Sequence, residues 1–201
     1  MVIGACSGVG VIRGIIASAP TIDDIVATPT GFLSTVLDAN GNQTATLVAS
    51  GSNRRAVTID EIPKNLQHAF VAIEDERFYE HNGIDVTGII RAGVKGVASG
   101  FHFSEGASTI TQQLLKNTVF TSWTSESSMA DKFERKFQEQ YLALQLEKVV
   151  DKDWILENYL NAINLGQNTL GVGVASERYF GKDVSDLTLS ECAVLAAITQ
   201  N

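Results

Sequence analysis

The stretch AIEDERFYEHNGID, residues 72–85, combines several carboxylates with a histidine and two aromatic rings. On a helix, Phe70, Glu74 and Phe78 would share one face, because residues four positions apart lie above one another. Burial beside aromatic rings disfavours a charged carboxylate, and such a carboxyl suits general acid or base catalysis. The ordinary alternative is a glutamate at the edge of an apolar face that points into water. Spacing alone leaves both interpretations open.

Two polar residues close to Glu74 are equally ambiguous. Asp75 aligns with Val71 and Tyr79 on the adjacent flank of the predicted helix. His81 falls near the predicted end of that helix, where a histidine stabilises the helix dipole or caps a turn. Neither position assigns chemistry by itself.

A second polar segment, STITQQLLK at residues 108–116, begins with a residue type that caps helices. Gln112, Gln113 and Lys116 are spaced so that they form one polar face, which could donate hydrogen bonds to an anion. The N-terminus of the helix itself attracts anions. A capped helix with solvated amides explains the same residues equally well.

The segment RKFQE places Arg135 and Lys136 four and three residues before Glu139. Ordinary ion pairing along a helix explains this spacing and contributes a few tenths of a kcal/mol, roughly 0.2–0.5 per pair. The functional alternative is a pair of cations for a pyrophosphate, with a carboxylate that orients them or holds a metal ion. Spacing does not separate the two.

The composition is that of a globular domain: 201 residues, 44% hydrophobic and 19% charged. A formal net charge of −8 argues against nucleic acid as the main partner. Cys6 and Cys192 lie in apolar runs without a CxxC partner, so both are expected to be small buried hydrophobes.

The chain divides into three predicted parts. Residues 1–19 form an apolar leader with twelve uncharged residues at its start; this is shorter than the ~20 residues of a membrane span, and we interpret it as the trimmed end of a membrane anchor. Residues 20–59 hold a β-hairpin within 34–50, because Asn40-Gly41 separates two β-branched runs. Residues 60–201 form a helical domain, which we expect to continue beyond residue 201.

Capping residues, proline and glycine in the sequence predict where the helices of this region begin and end. TIDE at 58–61 resembles a capping box and precedes Pro63, so a helix is predicted to run from there to HNG at 81–83. A second helix is predicted from Asp85 to about Ala98, and Ser108 is the predicted N-cap of the third. Further helices are predicted over 129–150, up to Gly166, and through TLGVGVASERYFG and LTLSECAVLAAI.

Five motifs in order resemble the peptidoglycan glycosyltransferases (glycosyltransferase family 51), as found in class A penicillin-binding proteins and monofunctional glycosyltransferases. They are EDERFYEHNGID, GASTITQQLLKN, RKFQE, ILENYLNAINLG and LTLSECAVLAA. One departure is Ala107, where the family usually has a second glycine. HExxH, GxxxxGK[ST], GxSxG and the penicilloyl-serine motifs are absent.

The resemblance implies a mainly α, lysozyme-like fold with two lobes, a head and a membrane-facing jaw, preceded by the small N-terminal β-hairpin. It also implies the reaction: lipid II is polymerised into β-1,4-linked glycan strands, with inversion and departure of undecaprenyl pyrophosphate. The jaw would include residues 117–128, where Phe120 and Trp123 are expected near lipid and loop packing is the competing explanation.

Roles carried over by motif make Glu74 the general base and Glu139 the second catalytic carboxylate. Substrate-binding residues implied by the resemblance are Asp75, Phe78, His81, Ser108, Gln112, Gln113, Lys116, Arg135 and Lys136. A divalent cation, Mg²⁺ or Mn²⁺, is a candidate at the pyrophosphate of the glycan donor, and the metal ligands are unknown.

The implied partners are lipid II, the undecaprenyl-pyrophosphate glycan chain and the membrane, with no nucleic acid. A C-terminal transpeptidase domain and other cell-wall synthesis proteins are further candidate partners. The implied location is the extracytoplasmic face of the cytoplasmic membrane. A lysozyme-like hydrolase or lytic transglycosylase and a non-catalytic membrane-anchored scaffold are the competing functions.

Overall fold

The computed structural model describes residues 10, 12–22, 27–49, 51–98 and 107–200. Most of the predicted apolar leader, including Cys6, lies outside these ranges. The chain forms two compact units, the first from Met1–Ala27 and Arg77–Lys152, the second from Thr28–Glu76 and Asp153–Asn201. Within the described ranges, no helix has the length and apolar character needed to cross a bilayer.

Over the residues that the structure describes, the architecture is mainly helical, with one small sheet. A short helical stretch at residues 12–17 precedes the named elements, and 3-10 turns occur at Thr121–Ser125, Val184–Asp186 and Ile198–Gln200. The strands and helices in chain order are β1 Ser34–Leu37, β2 Gln43–Leu47, α1 Lys64–Glu74, α2 Val86–Ala98, α3 Ile110–Thr118, α4 Met129–Leu146, α5 Lys152–Ala162, α6 Val172–Phe180 and α7 Leu189–Ala197.

The predicted hairpin is confirmed. Strands β1 and β2 pair antiparallel, with Ser34 opposite Leu47. The Asp38 carboxylate accepts hydrogen bonds from the backbone N–H groups of Asn40 and Asn42 at 2.8 and 2.9 Å, and Gly41 adopts a φ of +85°. A glycine suits that backbone angle because other residues rarely adopt it, so the Asn-Gly signal marks the turn correctly.

In the first unit, α3 packs against α4. The buried apolar residues of these helices are Ile110, Leu114 and Leu115 on α3 and Leu142, Ala143 and Leu146 on α4. The N-cap of α3 is Thr109, whose side chain accepts the N–H of Gln112. Ser108 was predicted for that role and the prediction is wrong, because its hydroxyl is engaged by Lys136 instead.

The loop before α2 touches α4 closely at Gly83. This residue has a φ of +86°, and a Cβ placed on it would lie 2.5 Å from the carbonyl oxygen of Ala143. The carbonyl of Gly83 also accepts a hydrogen bond of 2.8 Å from Thr109 Oγ1. Glycine is therefore required at this position for two reasons, its backbone angle and the close approach of the Ala143 backbone.

In the second unit, α1 packs against α7. Leu66 and Phe70 of α1 are fully buried, as are Cys192 and Leu195 of α7. The prediction that Cys192 is a buried hydrophobe is confirmed, and burial raises the pKa of its thiol. Helix α7 begins with a capping box in which Thr188 and Glu191 satisfy each other's backbone N–H groups.

The segment before α1 is tied to α5 through Asn161. The side chain of Asn161 accepts the N–H of Val57 at 3.0 Å and donates to the Val57 carbonyl at 2.7 Å. The buried guanidinium of Arg54 donates to the Asn161 carbonyl, also at 2.7 Å. These bonds satisfy buried polar groups that would otherwise be costly.

Three predicted helix boundaries are wrong. Helix α1 ends at Glu74 and not near His81, because the buried Asp75 has φ −158° and ψ 73°, and aspartate competes with helical backbone bonding. Helix α4 ends at Leu146 in tighter i→i+3 bonds. Helix α5 ends at Ala162, ahead of Gly166, because the Asn164 side chain accepts the Gly166 N–H and forms a turn.

Of the remaining fold predictions, two are confirmed and two are untested. The mainly α class with an N-terminal hairpin and the start of α2 beside Asp85 are confirmed; Asp85 accepts the N–H of Gly88 at 2.9 Å. The lysozyme-like two-lobed arrangement and the boundary between residues 59 and 60 stay predictions.

Candidate active site

Glu74 is the last residue of α1, in the second unit. Its side chain is half-buried. Its Oε1 atom accepts hydrogen bonds from the hydroxyl of Thr199 and from the amide of Gln200, the latter at 3.1 Å. Both partners lie in the 3-10 turn that follows α7, so the packing of α7 on α1 brings them to this carboxylate.

The aromatic surroundings predicted for Glu74 are only partly present. Phe78 does not continue the helical face of Glu74, because α1 ends at Glu74 and Phe78 belongs to the first unit. Phe70 is fully buried and contacts Tyr159 edge-on, with ring centroids 6.2 Å apart. Burial, reinforced by the charges of Glu74 and Asp75, raises the pKa of Tyr159 well above its usual value, so the two carboxylates lie within electrostatic reach of a neutral phenol.

The RKFQE motif forms a compact ion network on α4. The side chain of Glu139 is 1% exposed and pairs with Arg135 through Nη1 and with Lys136 through Nζ, the latter at 3.1 Å. The i,i+4 and i,i+3 spacing therefore produces the pairing that the sequence predicts. Because Glu139 is buried and the cations are less so, its charge holds two positive groups side by side.

Lys136 connects this network to α3. Its Nζ donates to Ser108 Oγ at 2.8 Å and to Gln112 Oε1 at 3.2 Å. The Nε2 atom of Gln112 is buried and has no hydrogen-bond partner within the part of the chain that the structure describes. Gln113 lies half-buried on the same helix. Ser108 and Gln112 thus contact Lys136, one of the cations that the family resemblance places at the same donor site.

Lys116, on the last turn of α3, is also near these charges. Its Nζ lies 3.7 Å from the centroid of the Trp123 ring, a cation–π contact. Burial lowers the pKa of Lys116, and the neighbouring Arg135 and Lys136 act in the same direction while Glu139 and Glu126 oppose them. We refer below to Lys116, Arg135, Lys136 and Glu139 as the cation cluster.

The segment after α3 supplies a residue that the sequence interpretation missed. Both carboxylate oxygens of Glu126 accept from Arg135 Nε, at 2.8 and 2.9 Å. The signal available in the sequence was a lone acid nine residues before Arg135, beyond the reach of any helical spacing rule. The stacking of Trp123 on Lys116 favours loop packing, one of the two explanations considered for that ring.

Phe78 and His81 lie in the first unit next to a second ion network. Phe78 is fully buried, contacts the His81 ring edge-on and has Lys152 Nζ 4.4 Å from its ring centroid. Lys152 pairs with Glu147 at 2.6 Å, and Glu147 also accepts from Thr111. This links the first and second motifs to the end of α4.

A cavity of about 460 Å³ opens beside His81. It is bordered by the ion pair between Arg77 and Asp85. Burial acts to raise the pKa of Asp85, but hydrogen bonds from Arg77 and from the Gly88 N–H outweigh it and hold that pKa below its usual value. His81 therefore shares this cavity with the Asp85 carboxylate, whose negative charge is paired with Arg77.

The cation cluster does not fit a metal ion held by protein side chains. Both oxygens of Glu139 are engaged by Arg135 and Lys136, and the surrounding charge is positive. Over the described ranges, no three His, Cys, Asp or Glu side chains are grouped closely enough to hold a metal ion. The Mg²⁺ or Mn²⁺ ion expected at the glycan donor stays a prediction.

Comparison with known proteins agrees with the motifs. A family model described as transglycosylase matches residues 40–201. The chain is 46% identical to penicillin-binding protein 1A of Clostridium perfringens over 98% of its own length and 29% of the relative's. It is also 46% identical to penicillin-binding protein 1F of Bacillus subtilis, over 82% of this chain and 22% of that protein.

The chain thus spans less than a third of the length of these curated relatives. The family match, in contrast, includes all five motifs and most of the chain. The resemblance inferred from the motifs is confirmed, and the chain belongs to the transglycosylase family of peptidoglycan glycosyltransferases.

Proposed function

We propose that this chain polymerises lipid II into β-1,4-linked glycan strands. The observation that carries the proposal is the cation cluster, which gathers three positive side chains on a chain of net charge −8. A leaving pyrophosphate needs such charge neutralisation, and positioned cations supply it without reorganisation during the reaction.

In the proposed mechanism, Glu74 removes the proton from the 4-hydroxyl of the incoming lipid II. As this O–H bond breaks, the oxygen's electron pair forms a bond to the anomeric carbon of the glycan donor. The bond from that carbon to the pyrophosphate oxygen breaks, and the pyrophosphate leaves with the bonding pair. Arg135, Lys136 and Lys116 balance its charge, while Glu139 orients the first two cations.

The remaining side chains have supporting roles in this proposal. Ser108 and Gln112 hold Lys136 at the donor end, and Gln112 Nε2 offers a buried hydrogen-bond donor to a pyrophosphate oxygen. Gln113, Asp75, Phe78 and His81 shape the substrate site, as the family resemblance implies. A hydrolase with a neutral leaving group has no comparable need for the cation cluster, and a scaffold would need neither that cluster nor Glu74.

The proposal includes a membrane-bound context. Lipid II and the growing chain both carry a lipid, so the enzyme would work at the extracytoplasmic face of the cytoplasmic membrane. An exposed apolar stripe on α2, formed by Val86, Ile90, Val94 and Val97, supports an interfacial position. The length of the relatives supports a larger parent protein, for which a transpeptidase domain is the proposed continuation.

A polymerisation assay tests this function. The full-length protein is incubated with fluorescent lipid II, and the products are separated by size. We expect a ladder of glycan polymers from the wild type and a loss of at least about tenfold for Lys136→Met, which removes one leaving-group cation. Lys132→Met is the matched control, because Lys132 is an exposed lysine on the same helix. Degradation of finished glycan without lipid II consumption would instead identify a hydrolase.

A further inference from the structure

We propose that Thr199 is a positioning residue for the general base, and that it holds Glu74 in both of its protonation states. This inference rests on the proposed function. It extends the site to a turn that none of the residues implied by the motifs includes.

The geometry places one hydroxyl between two acceptors. Thr199 Oγ1 is within hydrogen-bonding distance of Glu74 Oε1 and lies 2.9 Å from the carbonyl oxygen of Ala196. A threonine hydroxyl carries one hydrogen and accepts with its oxygen lone pairs. It can therefore donate to only one of the two acceptors at a time.

The charge on Glu74 decides which acceptor receives the hydrogen. An ionised carboxylate is the stronger acceptor, so the hydroxyl donates to Oε1 before the reaction. After Glu74 has taken the proton of the 4-hydroxyl, the neutral carboxyl is a weaker acceptor and the Thr199 hydrogen can turn to the Ala196 carbonyl. The threonine oxygen can then accept from a protonated Oε1, so neither state of the base leaves a half-buried polar group unpaired.

Gln200 adds a second hydrogen bond to the same oxygen. Its Nε2 donates to Glu74 Oε1 at 3.1 Å, and this side chain is exposed. Two hydrogen bonds to one oxygen restrict rotation of the Glu74 carboxylate about its Cγ–Cδ bond. Thr199 is the principal anchor because it is half-buried, where a hydrogen bond competes less with water.

Thr199 is supported by a packed helix. Its turn follows directly from α7, whose Cys192, Leu195 and Ala196 are buried, and α7 packs on the helix that ends in Glu74. Catalytic groups hold their geometry when such packed elements carry them. The contact joins residues 125 positions apart in the chain, so no local pattern reveals it.

The test compares variants of the full-length protein in the lipid II assay. Thr199→Val keeps the side-chain shape and removes the hydroxyl; we expect kcat to fall about tenfold with KM for lipid II unchanged, since the contact acts on the base and not on substrate binding. Thr199→Ser restores the hydroxyl and should keep kcat within about twofold of the wild type. Ser190→Ala, which removes an exposed hydroxyl from α7, is the matched control.

Each outcome has a distinct meaning. A wild-type rate in Thr199→Val, or a serine variant as slow as the valine variant, overturns the role of Thr199 and leaves the proposed function intact. A wild-type protein that binds lipid II and makes no polymer overturns the proposed function and the role of Thr199 with it. Thermal unfolding of each variant separates loss of the hydroxyl from loss of the fold.

Discussion

Both carboxylate oxygens of Glu126 accept a hydrogen bond from Arg135 Nε, at 2.8 and 2.9 Å. Both side chains are largely buried, at 14% and 15% exposure. An internal anion thus occupies one edge of the guanidinium that the proposed reaction uses for a pyrophosphate. Glu126 and the pyrophosphate would compete for the same positive charge.

Neutralising Glu126 should therefore tighten binding of the glycan donor. For Glu126→Gln we expect KM for the glycan donor to fall about two- to tenfold, because the freed charge of Arg135 is available to the donor pyrophosphate. Glu134→Gln is the control, because Glu134 lies next to Arg135 on α4 but accepts a hydrogen bond from Ser18. A rise in KM for Glu126→Gln would show that Glu126 positions Arg135 productively and does not compete.

Lys116 should make activity sensitive to alkaline pH. Its pKa is lowered, chiefly by burial, so as pH rises it loses its proton before an ordinary lysine does, and the cluster then binds pyrophosphate less well. We expect KM for the glycan donor to rise on the alkaline side, at a pH below the usual lysine pKa. Lys116→Arg should abolish this rise, because arginine stays protonated. An unchanged pH profile in Lys116→Arg would assign the effect to another group.

Glu191 should contribute to stability in acid. Hydrogen bonds from the Thr188 N–H and hydroxyl, followed by Lys182, lower its pKa to about 2. A depressed carboxylate pKa gives stability that is present above the unfolded-state pKa and is lost as pH falls through the folded-state value. Between pH 5 and pH 2, Tm should fall less in Glu191→Gln than in the wild type. Parallel Tm curves for the two proteins would contradict this.

Replacing Gly83, on the loop before α2, should destabilise the fold in two ways, through its backbone angle and through a steric clash. In Gly83→Ala, the left-handed φ costs about 1–2 kcal/mol, and the clash with the Ala143 carbonyl adds roughly 1–3 kcal/mol. Gly41→Ala is matched, because Gly41 has nearly the same φ and open space around its Cβ position. Urea unfolding should show the larger loss at Gly83. Equal losses at the two glycines would mean that the close approach relaxes without cost.

Local patterns in the sequence predicted the local features well. The Asn-Gly turn, the helix start beside Asp85 and the pairing within RKFQE all depend on residues a few positions apart, and all are present. The face shared by Phe70, Glu74 and Phe78 was predicted wrongly, because periodicity assumed a helix through Asp75. Nothing in the periodicity marks the buried aspartate that ends it.

Contacts over long sequence distances could not be predicted from spacing. Thr199 reaches Glu74 because α7 packs on α1, and Glu126 reaches Arg135 because the segment after α3 folds back onto α4. Such contacts depend on tertiary packing, which hydrophobic periodicity does not specify. The family resemblance assigned the roles of the motif residues and left both of these partners out.

In the proposed mechanism Glu74 is the base that drives polymerisation, and one substitution tests this role directly. Glu74→Gln keeps the size of the side chain and its capacity to accept from Thr199, but it cannot take the proton of the 4-hydroxyl. With full-length protein and fluorescent lipid II, we predict no glycan polymer from Glu74→Gln, an unchanged Tm and retained lipid II binding. Polymerisation by Glu74→Gln at the wild-type rate would contradict the account.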